Sequence, residues 1–226
     1  MTFYLEFLTK AHEILQPRRY LEIGVRYGDS LNLASCLAIG VDPAPALNRP
    51  QRPNEKILHM TSDEFFALGL HNGGIDIPVD LAFIDGMHLI ENALRDFINI
   101  EKYSNNQTVV VFDDVLPYNQ AIAARNQPPG DWTGDVWKMI PTLDTFRPDL
   151  TYVVVDTKPT GLLLVTGLDL DSATLDTNFA DIMGGMRYVE SVPEYILDRR
   201  DAVSPDEAYE RIAWWRELNL RTQPAG

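Results

Sequence analysis

The chain has 226 residues, 45% apolar and 23% charged, so it is long enough to bury a core and too apolar for a disordered chain. Acidic side chains number 33 against 19 basic ones, a formal charge of −14, which argues against gripping nucleic acid phosphates or an anionic membrane. The single cysteine, Cys36, cannot form an internal disulfide, which points to a reducing, cytoplasmic setting; no run of about 18 apolar residues is present to span a membrane, and the start MTFYLEFLTKAHEIL, with Glu6 inside its apolar stretch, is unlike a signal peptide.

Apolar residues at three- and four-residue spacing predict a helix over 3–15, ended by Pro17. Residues 20–24 read as a first strand, followed by the turn GVRYGDS and a short helix capped by Ser30 and running to about Cys36. Residues 37–42 read as a second strand and 57–60 as a third. Thr61 or Ser62 caps the next helix, with Asp63 and Glu64 in its first turn, where negative charge is favoured. Residues 80–84 read as a fourth strand, 89–103 as an amphipathic helix and 108–112 as a fifth strand, apolar enough for burial on both faces. A proline-rich connection leads to a helix over 133–146. Strands over 151–156 and 162–166 are too close for a crossover and predict a hairpin.

Alternating strands and helices closed by a hairpin predict an α/β, Rossmann-like, doubly wound and mostly parallel sheet with helices on both faces. Residues 1–168 form that domain in this reading. Residues 169–226 form a helical extension that packs on the core or on a partner chain, which allows a homo-oligomer. Ser204-Pro205-Asp206-Glu207 opens its last helix, and residues after 220 are expected to be loose.

Chemistry-bearing residues gather at the strand ends. After the first strand come Glu22, Gly24, Gly28 and Ser30. The glycines allow close approach of a ligand, and Ser30 with free amides suits a carboxylate or phosphate. Asp42 ends the second strand, where an acid can accept ribose hydroxyls, and Ser62 with Asp63 follows the third, beside an adenine edge. Each has a plainer reading as a turn residue. The full GxGxxG is absent, because Arg26 stands at its middle position, and no GxxxxGK[ST] occurs.

Asp85 closes the fourth strand with His88 three residues on, and Asp113-Asp114 closes the fifth. Neighbouring strands would bring three carboxylates together, and their mutual repulsion invites a divalent cation; hard oxygen donors favour Mg²⁺ over zinc. Both adjacent acids can ligate only if the strand has already turned. The plainer reading has Asp114 as a helix cap and Asp113 in solvent. A histidine at such a site can act as a base near neutral pH. Trp132 and Trp137 can cover an acceptor, and Lys138 or Arg125 can pair with an anionic group on it. Of Trp214 and Trp215, core or interface duty is the simpler reading.

Taken together, YLEIGVRYGDS, GVDP, TSDEFF, FIDGMH, DFINIEKY, VVVFDD and WTGDVWK resemble the class I S-adenosylmethionine-dependent methyltransferases over roughly residues 18–168. The nearest branch is the metal-assisted O-methyltransferases, including cephalosporin-hydroxylase-like and macrolide-sugar enzymes. The resemblance implies a seven-stranded sheet with one antiparallel strand and S-adenosyl-L-methionine as methyl donor. It implies that Glu22, Gly24, Gly28, Ser30, Asp42, Ser62, Asp63 and Asp85 line the donor site, that Asp85, Asp113 and Asp114 bind Mg²⁺, and that His88, with Asp85, is catalytic, the histidine as general base. The substrate would be a small molecule with a free hydroxyl. The Asp-Asp pair and Arg26 depart from the family's usual residues. Two rivals remain: metal-independent N- or O-methyl transfer, and a non-catalytic binding protein with the same fold.

Overall fold

A computed structural model describes residues 2–69 and 78–222. Helix α1 (Tyr4–Leu15) begins where the Glu6 carboxylate accepts the Phe3 N–H at 2.9 Å. It buries Phe7, Leu8, Ala11 and His12, whereas Phe3, placed on its apolar face from sequence, is 58% exposed because it precedes the helix.

Strands β1 (Arg19–Ile23), β2 (Leu37–Val41), β3 (Glu55–Leu58), β4 (Leu81–Ile84), β5 (Val109–Phe112), β6 (Thr151–Val155) and β7 (Leu162–Thr166) form one seven-stranded sheet in the order β3-β2-β1-β4-β5-β7-β6. The first five pair in parallel, and β7 runs antiparallel to both β5 and β6. This is the expected mostly parallel, Rossmann-like sheet with its hairpin. The order reverses at β1, so the ends of β1 and β4 flank the place where ligands of doubly wound sheets lie.

β3 starts two residues earlier than expected, at Glu55. A buried acid argues against a strand unless its charge is met, and here Arg49 and Arg52 each meet a Glu55 oxygen at 2.7 Å. After β1, Ser30 opens only a 3₁₀ turn, Leu31–Leu33, in place of a longer helix. Helix α2 (Ser62–Leu68) is capped by Thr61, whose Oγ1 accepts the Glu64 N–H at 3.2 Å while Glu64 accepts the Thr61 N–H at 2.8 Å.

Helix α3 (Ile90–Glu101) is amphipathic and buries Ala93, Leu94, Phe97 and Ile98. The helix predicted to begin at Thr133 starts later, as a 3₁₀ turn Val136–Lys138 followed by α4 (Met139–Phe146). The delay has two causes. Gly134 is left-handed, at φ +52°, and the Asp135 carboxylate is already engaged, accepting the Ile90 N–H at 2.8 Å and so capping α3.

One face of the sheet carries α3 and α4 with α5 (Thr174–Thr177), α6 (Phe179–Met186) and α7 (Glu194–Leu197), and the other carries α1 and α8 (Pro205–Thr222). Within α8, Ala208, Ile212 and Trp215 are buried and Trp214 is exposed. Its Tyr209 stacks on Phe7 at 4.9 Å, and Arg216 donates to the Ile14 carbonyl at 2.6 Å. The extension thus packs on its own core, on both faces. The helix continues through Thr222, and the residues beyond it, on which the expectation of a loose end mostly falls, lie outside the described residues. No helix among the described residues is long and apolar enough to cross a membrane.

Candidate active site

The turn after β1 is tightly bound to its own chain. Gly24 (φ +90°), Arg26 (φ +46°) and Gly28 (φ +79°) all take left-handed backbone. Asp42, at the end of β2, accepts the N–H groups of Val25 and Arg26 at 2.9 and 2.8 Å and that of Ala44 at 2.7 Å. Its carboxylate holds the turn in shape. Gly24 is required here by the protein itself, since a Cβ would lie 2.0 Å from the Asp85 carbonyl oxygen.

Glu22 and Ser30 face each other inside the protein. Glu22 is fully buried and accepts from Tyr20 Oη at 2.7 Å and from Ser30 Oγ at 2.9 Å. Burial pushes the Glu22 carboxyl up to about 8, against the lowering effect of those two hydrogen bonds. The fold therefore binds this proton more tightly than the unfolded chain does. The resulting stability is present in full below the ordinary glutamate range and is lost as pH rises through about 8. Glu22→Gln is expected to flatten stability between pH ~5 and ~9 and to gain about 1–3 kcal/mol at the alkaline end, as read by urea unfolding. An unchanged pH profile would show that Glu22 is ionised in the fold.

After β3, Ser62 lies near Asp96 of α3, whose carboxyl burial pushes up to about 7. Asp63 pairs with Arg95 at 3.0 Å. The Asp63–Arg95 pair ties α2 to α3.

The ends of β4 and β5 hold the densest charge. β4 and β5 are in register, Ile84 opposite Phe112, so Asp85 and Asp113 leave the sheet side by side. At Asp114 the chain turns sharply through φ +64°. This turn separates the acid pair: Asp114 swings toward Asp85, while Asp113 stays buried, its Oδ1 accepting the Asp114 N–H at 2.8 Å. Asp85, His88 and Asp114 each present one ligand-type atom within 4.8 Å of the others; the Asp113 carboxylate lies outside that group. Burial raises the Asp85 and Asp113 carboxyls, and the nearby Asp114 charge raises both further.

His88 is held from behind by the connection after β5. Its Nδ1 lies 2.7 Å from the Trp132 carbonyl oxygen and 3.0 Å from Asp114 Oδ2. A carbonyl only accepts, so Nδ1 carries a proton, and Nε2 faces Asp85 Oδ1 at 3.5 Å. The Trp132 indole stacks on the ring at 5.1 Å and 20°. Gly134 closes the cradle, for a Cβ there would lie 1.6 Å from the His88 carbonyl oxygen. Burial pushes the imidazole down, but hydrogen bonds to Asp114 and Asp85 outweigh it and raise it to about 11. The His88 ring thus lies between two acids.

Several sequence expectations are redirected. Trp137 is buried in the core and covers nothing. Lys138 is buried against Asp135 at 2.8 Å, and Arg125 pairs with Glu91 and Asp135 at 2.6 Å each, so neither cation is available to an anionic acceptor. Asp135 escaped notice in the sequence, although an acid before an apolar helical stretch is a capping signal; its partner lies 45 residues away.

Residues 21–115 match a protein-family model described as a methyltransferase domain. Solved structures of methyltransferases share the fold. An O-methyltransferase from Bacillus cereus in complex with SAH has 15% identity, covers 72% of this chain and 80% of its own, and superposes with a TM-score of 0.52. The fold is that of the class I S-adenosylmethionine-dependent methyltransferases. A methyltransferase-fold relative from Klebsiella pneumoniae, a putative O-methyltransferase, has 20% identity, coverages of 73% and 80%, and a TM-score of 0.55. The O-methyltransferase TomG from Streptomyces achromogenes, involved in tomaymycin synthesis and solved with SAM, has 18% identity, coverages of 73% and 79%, and a TM-score of 0.53. No curated protein matches the sequence. The domain match and the methyltransferase fold together support an S-adenosylmethionine-dependent methyltransferase.

Proposed function

We propose that the protein transfers a methyl group from S-adenosyl-L-methionine to a hydroxyl of a small molecule, with Mg²⁺ bound by Asp85 and Asp114. The convergence of Asp85, His88 and Asp114 at the ends of adjacent parallel strands carries this reading. The DGMH stretch and the strand-end acids support kinship with the metal-assisted O-methyltransferases.

The donor set suits a hard cation: two carboxylates on one recess, with the His88 ring between them. Bound there, Mg²⁺ would supply countercharge and acidify an acceptor hydroxyl. The chain's own residues do the rest. Asp85 and Asp114 set the position of the acceptor. The Trp132 carbonyl holds the Nδ1 proton of His88, which leaves Nε2 as the atom able to take the acceptor's proton once the two acids are neutralised from elsewhere. The Trp132 ring flanks the acceptor's place and sheds water from it. The turn after β1, pinned by Asp42, borders the donor. Because the donor is already a sulfonium cation, alignment of oxygen and methyl is the main demand on the protein.

Calorimetry with S-adenosylhomocysteine and Mg²⁺ tests the reading. Asp85→Asn and Asp114→Asn are each expected to weaken Mg²⁺ binding by at least about tenfold, the loss of one charged ligand. Metal binding that survives both changes overturns the metal assignment. The placement of the His88 ring between Asp85 and Asp114, at 3.5 and 3.0 Å, favours a second reading, in which transfer proceeds without metal by proximity. That reading expects a chelator to leave methyl transfer intact.

A further inference from the structure

We propose that the Arg26 side chain binds the carboxylate of the donor's amino-acid end, an assignment that rests on the donor reading above. The sequence suggests that free amides and Ser30 at the β1 turn would serve a carboxylate. In the folded chain four of the amides of this turn and the Ser30 hydroxyl are engaged. The N–H groups of Gly24 and Gly28 donate to the carbonyls of Val41 and Val25, at 2.9 and 2.8 Å. Those of Val25 and Arg26 donate to Asp42, and Ser30 Oγ donates to Glu22. The amides left over are neutral donors, and a side-chain cation on this turn would add the charge that a carboxylate is best met by.

Arg26 is that cation. Its backbone is anchored on both sides, by N–H to Asp42 at 2.8 Å and by its carbonyl to the Ala46 N–H at 2.8 Å. It holds a left-handed φ of +46°, which a glycine would adopt without strain. Its guanidinium has no hydrogen bond or ion pair among the described residues; its one close contact is the Tyr27 ring, at 4.9 Å. By contrast Arg49, Arg52, Arg125, Arg147 and Arg199 are each held by carboxylates. An exposed, unpaired arginine is notable in a chain with 33 acids and 19 bases. It stands on the β1 turn, with its charge felt at Asp85. The amino-acid end of the donor is a zwitterion. A guanidinium on the turn that borders the donor suits its carboxylate.

The test compares two ligands by calorimetry on the full chain. S-adenosylhomocysteine carries the carboxylate; 5′-methylthioadenosine keeps the adenosine and thioether and lacks the amino-acid end. Arg26→Asn tolerates the left-handed backbone and removes the charge; Arg26→Gly does so by a second route, and Arg26→Lys keeps the charge. Arg26→Asn and Arg26→Gly are expected to weaken S-adenosylhomocysteine on the order of 10–100-fold, leaving 5′-methylthioadenosine unchanged, with partial recovery in Arg26→Lys. Undiminished S-adenosylhomocysteine binding, or equal loss for both ligands, overturns the assignment and leaves the donor reading standing. Wild-type protein that binds neither ligand overturns the donor reading, and the assignment with it.

Discussion

Gly24→Ala is expected to destabilise the fold by about 3 kcal/mol or more and to abolish S-adenosylhomocysteine binding with it. The added Cβ would sit 2.0 Å from the Asp85 carbonyl oxygen, 2.5 Å from its carbon and 2.7 Å from Gly86 Cα. All three atoms are backbone, so no rotamer change relieves the clash. Relief requires the β1 turn to move off the end of β4, which strains the Asp85 N–H to Ile23 carbonyl bond of 2.8 Å. Gly130 provides the control. Its φ is +96°, similar to the +90° of Gly24, yet a Cβ there would meet nothing within 4 Å. Gly130→Ala is therefore expected to cost about 1 kcal/mol, the strain of the backbone alone. Urea unfolding of the two variants separates close approach from strain; equal losses would mean that the β1 turn and the end of β4 are not in fixed contact.

Arg147→Met is expected to cost about 3–5 kcal/mol, because it leaves Glu101 buried without its counter-ion. The Arg147 and Glu101 side chains are 1% and 3% exposed, and Nη1 reaches both Glu101 oxygens, at 2.8 and 2.7 Å. Asp149 takes the other side of the guanidinium, with Nη2 to Oδ2 at 2.9 Å. This pair joins the end of α3 to the connection between α4 and β6. The double variant Arg147→Met with Glu101→Leu should recover most of the loss, since neither charge then remains to be desolvated. If the single variant is as stable as the double one, water or another cation already serves Glu101.

The strand pattern was legible because parallel strands buried on both faces are short, nearly continuous apolar runs, as in LAFI of β4 and VVVF of β5. Helix limits were less so. Ser30 and Thr133 read as helix openers, and each has its side chain engaged elsewhere, Ser30 with Glu22 and Thr133 with the Ile122 carbonyl. The β3 start was missed for the same reason, since Glu55 depends on Arg49 and Arg52.

From the order of its residues alone, this protein has a doubly wound sheet whose strands end in acids, because local periodicity sets the strands and the strands set where their ends go. Which side chains meet at those ends was a tertiary decision. The left-handed bend at Asp114 parts it from Asp113, the loop carrying Trp132 brings His88 into the acid pair, and the inward turn of Glu22 and Ser30 leaves Arg26 as the free charge at the first turn. Backbone dihedrals and long-range hydrogen bonds made those choices, and neither is written in the spacing of residues along the chain.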